Sequence, residues 1–188
     1  MPRESLQLRR LLTRIVEGLI VHCFILENPE KTDTFGATLA QSIRQLESLV
    51  HESGLNIRLN GDLGAGKTAT TRAMLRALGV DGRIKSPTFT LLETYPIDND
   101  LEVFHYDFYR FETPEEFLDA GFRDDFAPGH ITMVEWSEKA EPCLPDADLI
   151  LTLRVEGTGR TVTLEPQSAL GTTLTEEIAA RWTSLAAN

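Results

Sequence analysis

Cysteine, basic charge and long apolar runs are all in short supply in this chain. The two cysteines, Cys23 and Cys143, lie far apart and outside any C-x-x-C or Cys/His arrangement. That excludes a disulfide framework and a cysteine-built zinc site, and it fits a reducing cytoplasm. Cys23 reads as a small hydrophobe in an apolar stretch, and Cys143 sits in the Pro-rich segment Glu141-Pro-Cys-Leu-Pro145. Lys and Arg number 18 against 29 Asp and Glu, a net charge of -11. Such a field repels phosphate backbones, which disfavours autonomous nucleic-acid binding, so any RNA contact falls mostly to a partner or to a small basic patch working against the field. The apolar runs are too short to span a bilayer, which argues against a membrane protein. No N-K-x-D guanine-recognition motif, arginine-rich lid, internal repeat or low-complexity tract occurs.

What remains is an ordinary globular composition, 41% hydrophobic and 25% charged over 188 residues. It suits one α/β domain. Within it, Gly61-Asp62-Leu63-Gly64-Ala65-Gly66-Lys67-Thr68 matches the phosphate-loop pattern G-x-x-x-x-G-K-[ST] without a mismatch. Glycines let successive backbone N–H groups turn toward phosphate oxygens, Lys67 reaches the outer phosphates, and the Thr68 hydroxyl suits magnesium. The context is the required one, because Leu55–Asn60 alternates like a strand and Thr70–Leu78 reads as a helix stopped at Gly79. A helix N-terminus then adds free N–H groups and positive dipole to the Lys67 charge. Nucleotide-binding candidates are therefore Asp62 to Ala69, and the implied ligands are a nucleoside triphosphate and Mg2+.

A phosphate loop needs acids near its cation. Ile131-Thr-Met-Val-Glu135 is an apolar run ending in an acid, and Val103-Phe-His-Tyr-Asp107 is a second. We assign the metal to Glu135 with Thr68, and the attacking water to Asp107, with the reverse division open on sequence alone. His105 shares the sheet face of Asp107 by the two-residue strand period and is either a site member or a structural histidine. Lys85-Ser86-Pro-Thr88-Phe-Thr90 sets hydroxyls on a Pro-constrained turn, as a nucleotide-sensing switch segment would. Trp136 is a candidate for the nucleotide or a partner surface, and Arg110 for an arginine finger. The acids Glu115, Glu116, Asp119, Asp124 and Asp125 read as a solvated face.

Along the chain, residues 1–20 carry +2 against -13 for the rest and look like an appendage. Leu8, Leu11, Leu12, Ile15, Val16 and Leu19 can form one helical stripe, for a partner or a membrane surface. A targeting peptide and an upstream start-site assignment are further readings, and a dispensable extension is the one adopted. The remaining elements are a strand over His22–Leu26, a helix over Thr32–Val50 capped by Thr32 or Thr34, and a strand-like segment over Thr88–Tyr95. A hairpin tip at Asp98-Asn-Asp100 leads to a strand over Leu101–Tyr109, and a helix runs from Thr113-Pro to Gly121. A strand over Ile131–Glu135, a hairpin over Leu149–Val155 and Thr161–Glu165, and a helix over Thr175–Leu185 complete the order.

Together, Gly61 to Thr68, Ser86-Pro-Thr-Phe-Thr90, His105-Tyr-Asp-Phe-Tyr-Arg110 and Val134-Glu-Trp136 resemble the TsaE, or YjeE-type, ATPase family in content, order and spacing. The resemblance covers about residues 22–165. It implies a single phosphate-loop NTPase-like α/β domain with a mixed, mainly parallel sheet. It also implies magnesium-dependent ATP hydrolysis, slow in isolation, that supports threonylcarbamoylation of adenosine beside the tRNA anticodon. In the family the group transfer belongs to a TsaD and TsaB complex, which the ATPase binds and which would carry the tRNA contact. Lys67, Thr68, Asp107 and Glu135 match the family's phosphate, metal and hydrolysis positions, Thr88 its switch threonine, and Trp136 the tryptophan beside the metal acid. Adenine contacts would lie around Asn28–Thr32. Ala69 and Ser137 depart from the family pattern, where a second hydroxyl and a proline often stand. The rival readings are a small-molecule kinase and a nucleotide-dependent binding switch.

Overall fold

A computed structural model describes residues 11–16, 19–98 and 101–187. Its strands are β1 (Leu11–Val16), β2 (Leu19–Leu26), β3 (Leu55–Asn60), β4 (Leu92–Asp98), β5 (Leu101–Asp107), β6 (His130–Glu135), β7 (Leu149–Glu156) and β8 (Gly159–Pro166). The α-helices are α1 (Pro29–Gln45), α2 (Glu47–Ser53), α3 (Lys67–Ala77), α4 (Glu116–Asp119) and α5 (Ala169–Ala187). The strands form one sheet in the order β1-β2-β8-β7-β3-β6-β5-β4. Its centre, β7-β3-β6-β5, is parallel. Antiparallel strands extend both sides. This is the mixed α/β architecture the motifs implied, with the phosphate-loop strand β3 in mid-sheet.

Alternation along the central strands sorts side chains between two cores. Leu101 and Val103 of β5, Ile131 and Met133 of β6, and Leu55, Ile57 and Leu59 of β3 join an aliphatic cluster under α1, α3 and α5. Phe104 and Tyr106 of β5 and Val134 of β6 face the other way, into an aromatic cluster with Phe108, Phe111 and Phe117. Each fully buried aliphatic side chain contributes roughly 1.5–3 kcal/mol. Helices α1 and α3 pack unusually close at Gly36, where a Cβ would collide with the Ala73 Cβ and lie 2.8 Å from the Met74 nitrogen.

Several local expectations are corrected. The apolar residues within Leu11–Val16 form a strand paired antiparallel with β2, not a helical stripe. The β-branched Thr13, Ile15 and Val16 suit that ladder. Leu8 lies outside the described residues, as do residues 99 and 100 of the expected hairpin tip. The cap of α1 is Asn28, whose side chain accepts from the Lys31 N–H with Pro29 at the first helical position, rather than Thr32 or Thr34. The single helix expected over Thr32–Val50 breaks at Leu46 into α1 and α2. Pro87–Thr90 is a turn, and β4 starts only at Leu92. Helix α4 is four residues long, followed at Phe122–Asp125 by a 3-10 helix. Glu116 does cap this segment, accepting from the Glu112 and Thr113 N–H groups at 2.7 and 2.9 Å. Helix α5 begins at Ala169, before the expected Thr175.

Candidate nucleotide site

Strands β3, β5 and β6 run parallel, so their carboxyl ends meet at one edge of the sheet, where open α/β folds hold ligands. Asp107 and Glu135 are register partners there. They extend the aliphatic face of their strands, as the polar ends of the Leu101-Val103-His105-Asp107 and Ile131-Met133-Glu135 columns. The loop leaving β3 closes with Gly66 at φ 106°, a left-handed conformation that a side chain would strain, and α3 starts at Lys67. The N–H groups of that first turn lack intrahelical partners, and no acid in the turn covers the positive end.

These pieces surround a cavity of about 400 Å3 lined by Lys67, Thr68, Thr88, Asp107, Glu135 and Trp136, with Leu63, Gly64, Gly66, Ala69 and Ser86 around them. Thr68 Oγ1 donates to Glu135 Oε1 at 2.7 Å, which joins α3 to β6 across the cavity. Asp107 accepts at both oxygens, from the Thr88 hydroxyl at 2.5 Å and the Tyr109 N–H at 3.0 Å. Ser86 Oγ lies 2.9 Å from the Thr88 hydroxyl, so the Ser86–Thr90 segment is tied to the β5 acid. Lys67 donates to the Gly61 and Asp62 carbonyls at 2.5 and 3.2 Å, and its ammonium sits 4.2 Å from the Trp136 ring centroid. Leu91 and Trp136, the two non-glycine residues at positive φ among the described residues, stand after the switch turn and after Glu135. Such conformations cost about 1–3 kcal/mol each and gather at functional sites.

Not every candidate joins this cavity. Asp62 is exposed and lines a neighbouring cavity of about 400 Å3 with Arg58, Asn60, Ser137 and Glu141. Arg58 is spent there on Glu141 and the Pro145 carbonyl. Ala65 is buried in the core. Arg110 is exposed and stacks on Phe89, 4.2 Å from the ring centroid, rather than lining the cavity. Thr32 is buried, and its Oγ1 has no hydrogen-bond partner among the described residues. Because β2 and β3 point the same way, α1 and α3 both begin at this edge of the sheet, which sets Asn28–Thr32 beside the loop. Among the described residues the acids from Glu115 to Asp125 form no metal cluster. Asp125 accepts the Tyr106 hydroxyl, and burial, with that carboxylate, pushes the Tyr106 phenol up.

Arg160 is a site residue that the motifs do not reveal, since Glu156-Gly-Thr-Gly159 reads as a plain hairpin turn. Its guanidinium would collide with a Cβ placed on Gly66, so it covers the loop at the start of α3. An arginine just after a tight glycine turn is the available signal; the long-range closure of β2 on β8 is what brings it over.

A mixed sheet with a glycine loop entering α3 from its central strand, and two strand-end carboxylates opposite, is the architecture of a phosphate-loop NTPase-like domain. A model of the family described as threonylcarbamoyl adenosine biosynthesis protein TsaE matches residues 26–162. The chain belongs to the TsaE family. It is 41% identical over 137 residues to a Haemophilus influenzae protein named tRNA threonylcarbamoyladenosine biosynthesis protein TsaE, covering 73% of this chain and 84% of that one. A Bacillus subtilis protein of the same name is 34% identical over 130 residues, 69% of this chain and 75% of its own. The crystal structure of Bacillus subtilis YdiB superposes with a TM-score of 0.63 at 25% identity, covering 90% of this chain and 97% of that one. The matched span contains the site residues from Thr32 to Arg160.

Proposed function

We propose that this chain is a magnesium-dependent ATPase serving tRNA threonylcarbamoyladenosine biosynthesis in the cytoplasm, together with TsaD and TsaB proteins that carry the group transfer and the tRNA. One observation carries the reading: Lys67, Thr68, Asp107 and Glu135 converge on one cavity at the carboxyl ends of parallel strands. Membership of the TsaE family supplies the process.

The chemistry follows from the donors present. Lys67, the α3 amides and Arg160 bind phosphate oxygens. Thr68 and Glu135 hold the cation, and Glu135 Oε2, which no hydrogen bond from the described residues engages, is free to face it. A hard cation held by Thr68 and Glu135 would take oxygen ligands, which nucleotide phosphates would also offer. Magnesium, when bound there, would supply charge neutralisation for the phosphates. Asp107 orients the attacking water; both its oxygens already accept hydrogen bonds, which suits positioning better than proton capture. Thr88 couples the Ser86–Thr90 segment to that acid. Asn28–Thr32 flanks the adenine end, where Thr32 Oγ1 lacks a partner among the described residues.

The acidic chain fits a division in which partners contact the tRNA, and no helix among the described residues is long and apolar enough to cross a membrane. Residues 1–20 precede the family match, but Leu11–Val16 pairs in the sheet and β2 starts at Leu19, so the boundary expected at residue 20 falls inside a strand. The test is ATP hydrolysis with magnesium, alone and with purified TsaD and TsaB, beside threonylcarbamoyladenosine formation on unmodified tRNA. Partner-stimulated hydrolysis with multiple-turnover modification is expected. Modification at the same rate without this chain would defeat the proposal, and phosphate transfer to a metabolite would replace it with a kinase.

A further inference from the structure

His105 is fully buried on β5, two residues before Asp107. Its Nε2 lies 2.9 Å from Glu135 Oε1 on the neighbouring strand. Its other nitrogen, Nδ1, is buried with no partner among the described residues. A histidine kept only for the fold would normally satisfy both nitrogens or tie itself to backbone. This ring instead spends its one hydrogen bond on the carboxylate of the candidate metal site. An ionised carboxylate has only lone pairs to offer, so Nε2 carries the proton and donates.

The geometry at Glu135 gives that bond a consequence. Oε1 accepts from both His105 Nε2 and the Thr68 hydroxyl, at 2.9 and 2.7 Å, while Oε2 takes no hydrogen bond from the described residues. Two donors on one oxygen fix the carboxyl plane and leave the second oxygen to the cavity that Glu135 lines. The Thr68 hydroxyl can donate to Oε1 and still offer a lone pair to a cation, so Oε1 is held by one donor from α3 and a second, His105, from the sheet. His105 approaches through a strand paired in register with β6, so its position is set by the sheet rather than by the loop.

We infer that His105 is the positioning residue for the magnesium carboxylate, orienting Glu135 so that Oε2 meets the cation or its water. The inference rests on the magnesium–nucleotide reading of this cavity and adds a residue that acts only through Glu135. Orientation of a ligand from behind typically changes metal affinity by about 10–100-fold. It leaves metal-free phosphate binding alone.

The test is ADP binding by titration calorimetry on the full chain, with and without magnesium, for the wild type, His105→Met and His105→Gln. The wild type is expected to bind ADP more tightly with magnesium. His105→Met, similar in bulk and lacking a donor, is expected to lose about ten-fold or more of that gain with magnesium-free affinity unchanged. His105→Gln, whose amide N–H can reach Oε1, is expected to keep most of it. If the Met variant does not fold, His105→Asn, too short to reach Oε1, takes its place with the same expected loss. An undiminished magnesium gain in the donor-free variant overturns the inference, as does equal loss in the Gln variant. A wild type indifferent to magnesium would overturn the metal reading itself, and this inference with it.

Discussion

The two faces of the central sheet are built from the same strands but to opposite ends. On the helix-covered face, aliphatic columns run the length of β5 and β6 and then turn polar, finishing in His105, Asp107 and Glu135. On the other face, Phe104, Tyr106, Phe108, Phe111 and Phe117 pack ring on ring, with Phe108 and Phe111 centroids 4.5 Å apart. Successive residues of one strand therefore serve different masters: Asp107 faces the cavity, while Tyr106 and Phe108 anchor the strand that holds it. Chemistry on one face should be separable from stability on the other.

The sharpest break of that separation is Phe117→Ala. It empties a fully buried ring position among Phe108, Phe122 and Phe126, and is expected to cost about 3–5 kcal/mol in denaturant unfolding. Magnesium–ADP affinity of the folded fraction should stay near wild type. Next, Asp107→Asn is expected to lower ATP turnover about 100-fold or more while ATP binding persists. Turnover preserved in this variant would remove the hydrolysis role and favour a binding switch. Arg160→Met should weaken ADP binding about ten-fold through loss of the guanidinium beside Gly66 that would meet phosphate oxygens, with little change in melting temperature. Unaltered affinity would return Arg160 to a structural role.

The smallest effect concerns Glu116, which caps the turn before Phe117. Its bonds from the Thr113 and Glu112 N–H groups hold its carboxyl below the usual range. A lowered folded-state value means the stabilisation is present above the ordinary carboxylate range and lost as pH falls through the lowered value. Glu116→Gln should therefore be slightly less stable than wild type at neutral pH, with the gap closing in acid. A gap that persists unchanged into acid would assign the effect to something other than this charge.

Much of this contrast is legible in the amino-acid sequence, and the reason is periodicity. Two-residue alternation puts His105 with Asp107 and separates both from Tyr106, and the phosphate loop declares its strand and helix. What stays hidden depends on distant partners. Leu11–Val16 has spacing compatible with a helix, and only its ladder with β2 decides otherwise. Arg160 gains its meaning from the closure of β8 against β2, which no window around Gly159 reports. The Asn28 cap is readable, since Asn precedes Pro29, but the later threonines compete for the same role until the Lys31 N–H shows which side chain it meets. Helix α4 has a good start signal, but its length is set by where Phe117 reaches the aromatic cluster.

The Lys67 ammonium already has work. It donates to two loop carbonyls and lies over the Trp136 ring. A phosphate bound as proposed would compete for an occupied cation. The free energy it gains from Lys67 is a difference between two sets of oxygens, not the full attraction of a bare charge. Under the proposed function, the Gly61 and Asp62 carbonyls would offset part of what Lys67 contributes to holding nucleotide.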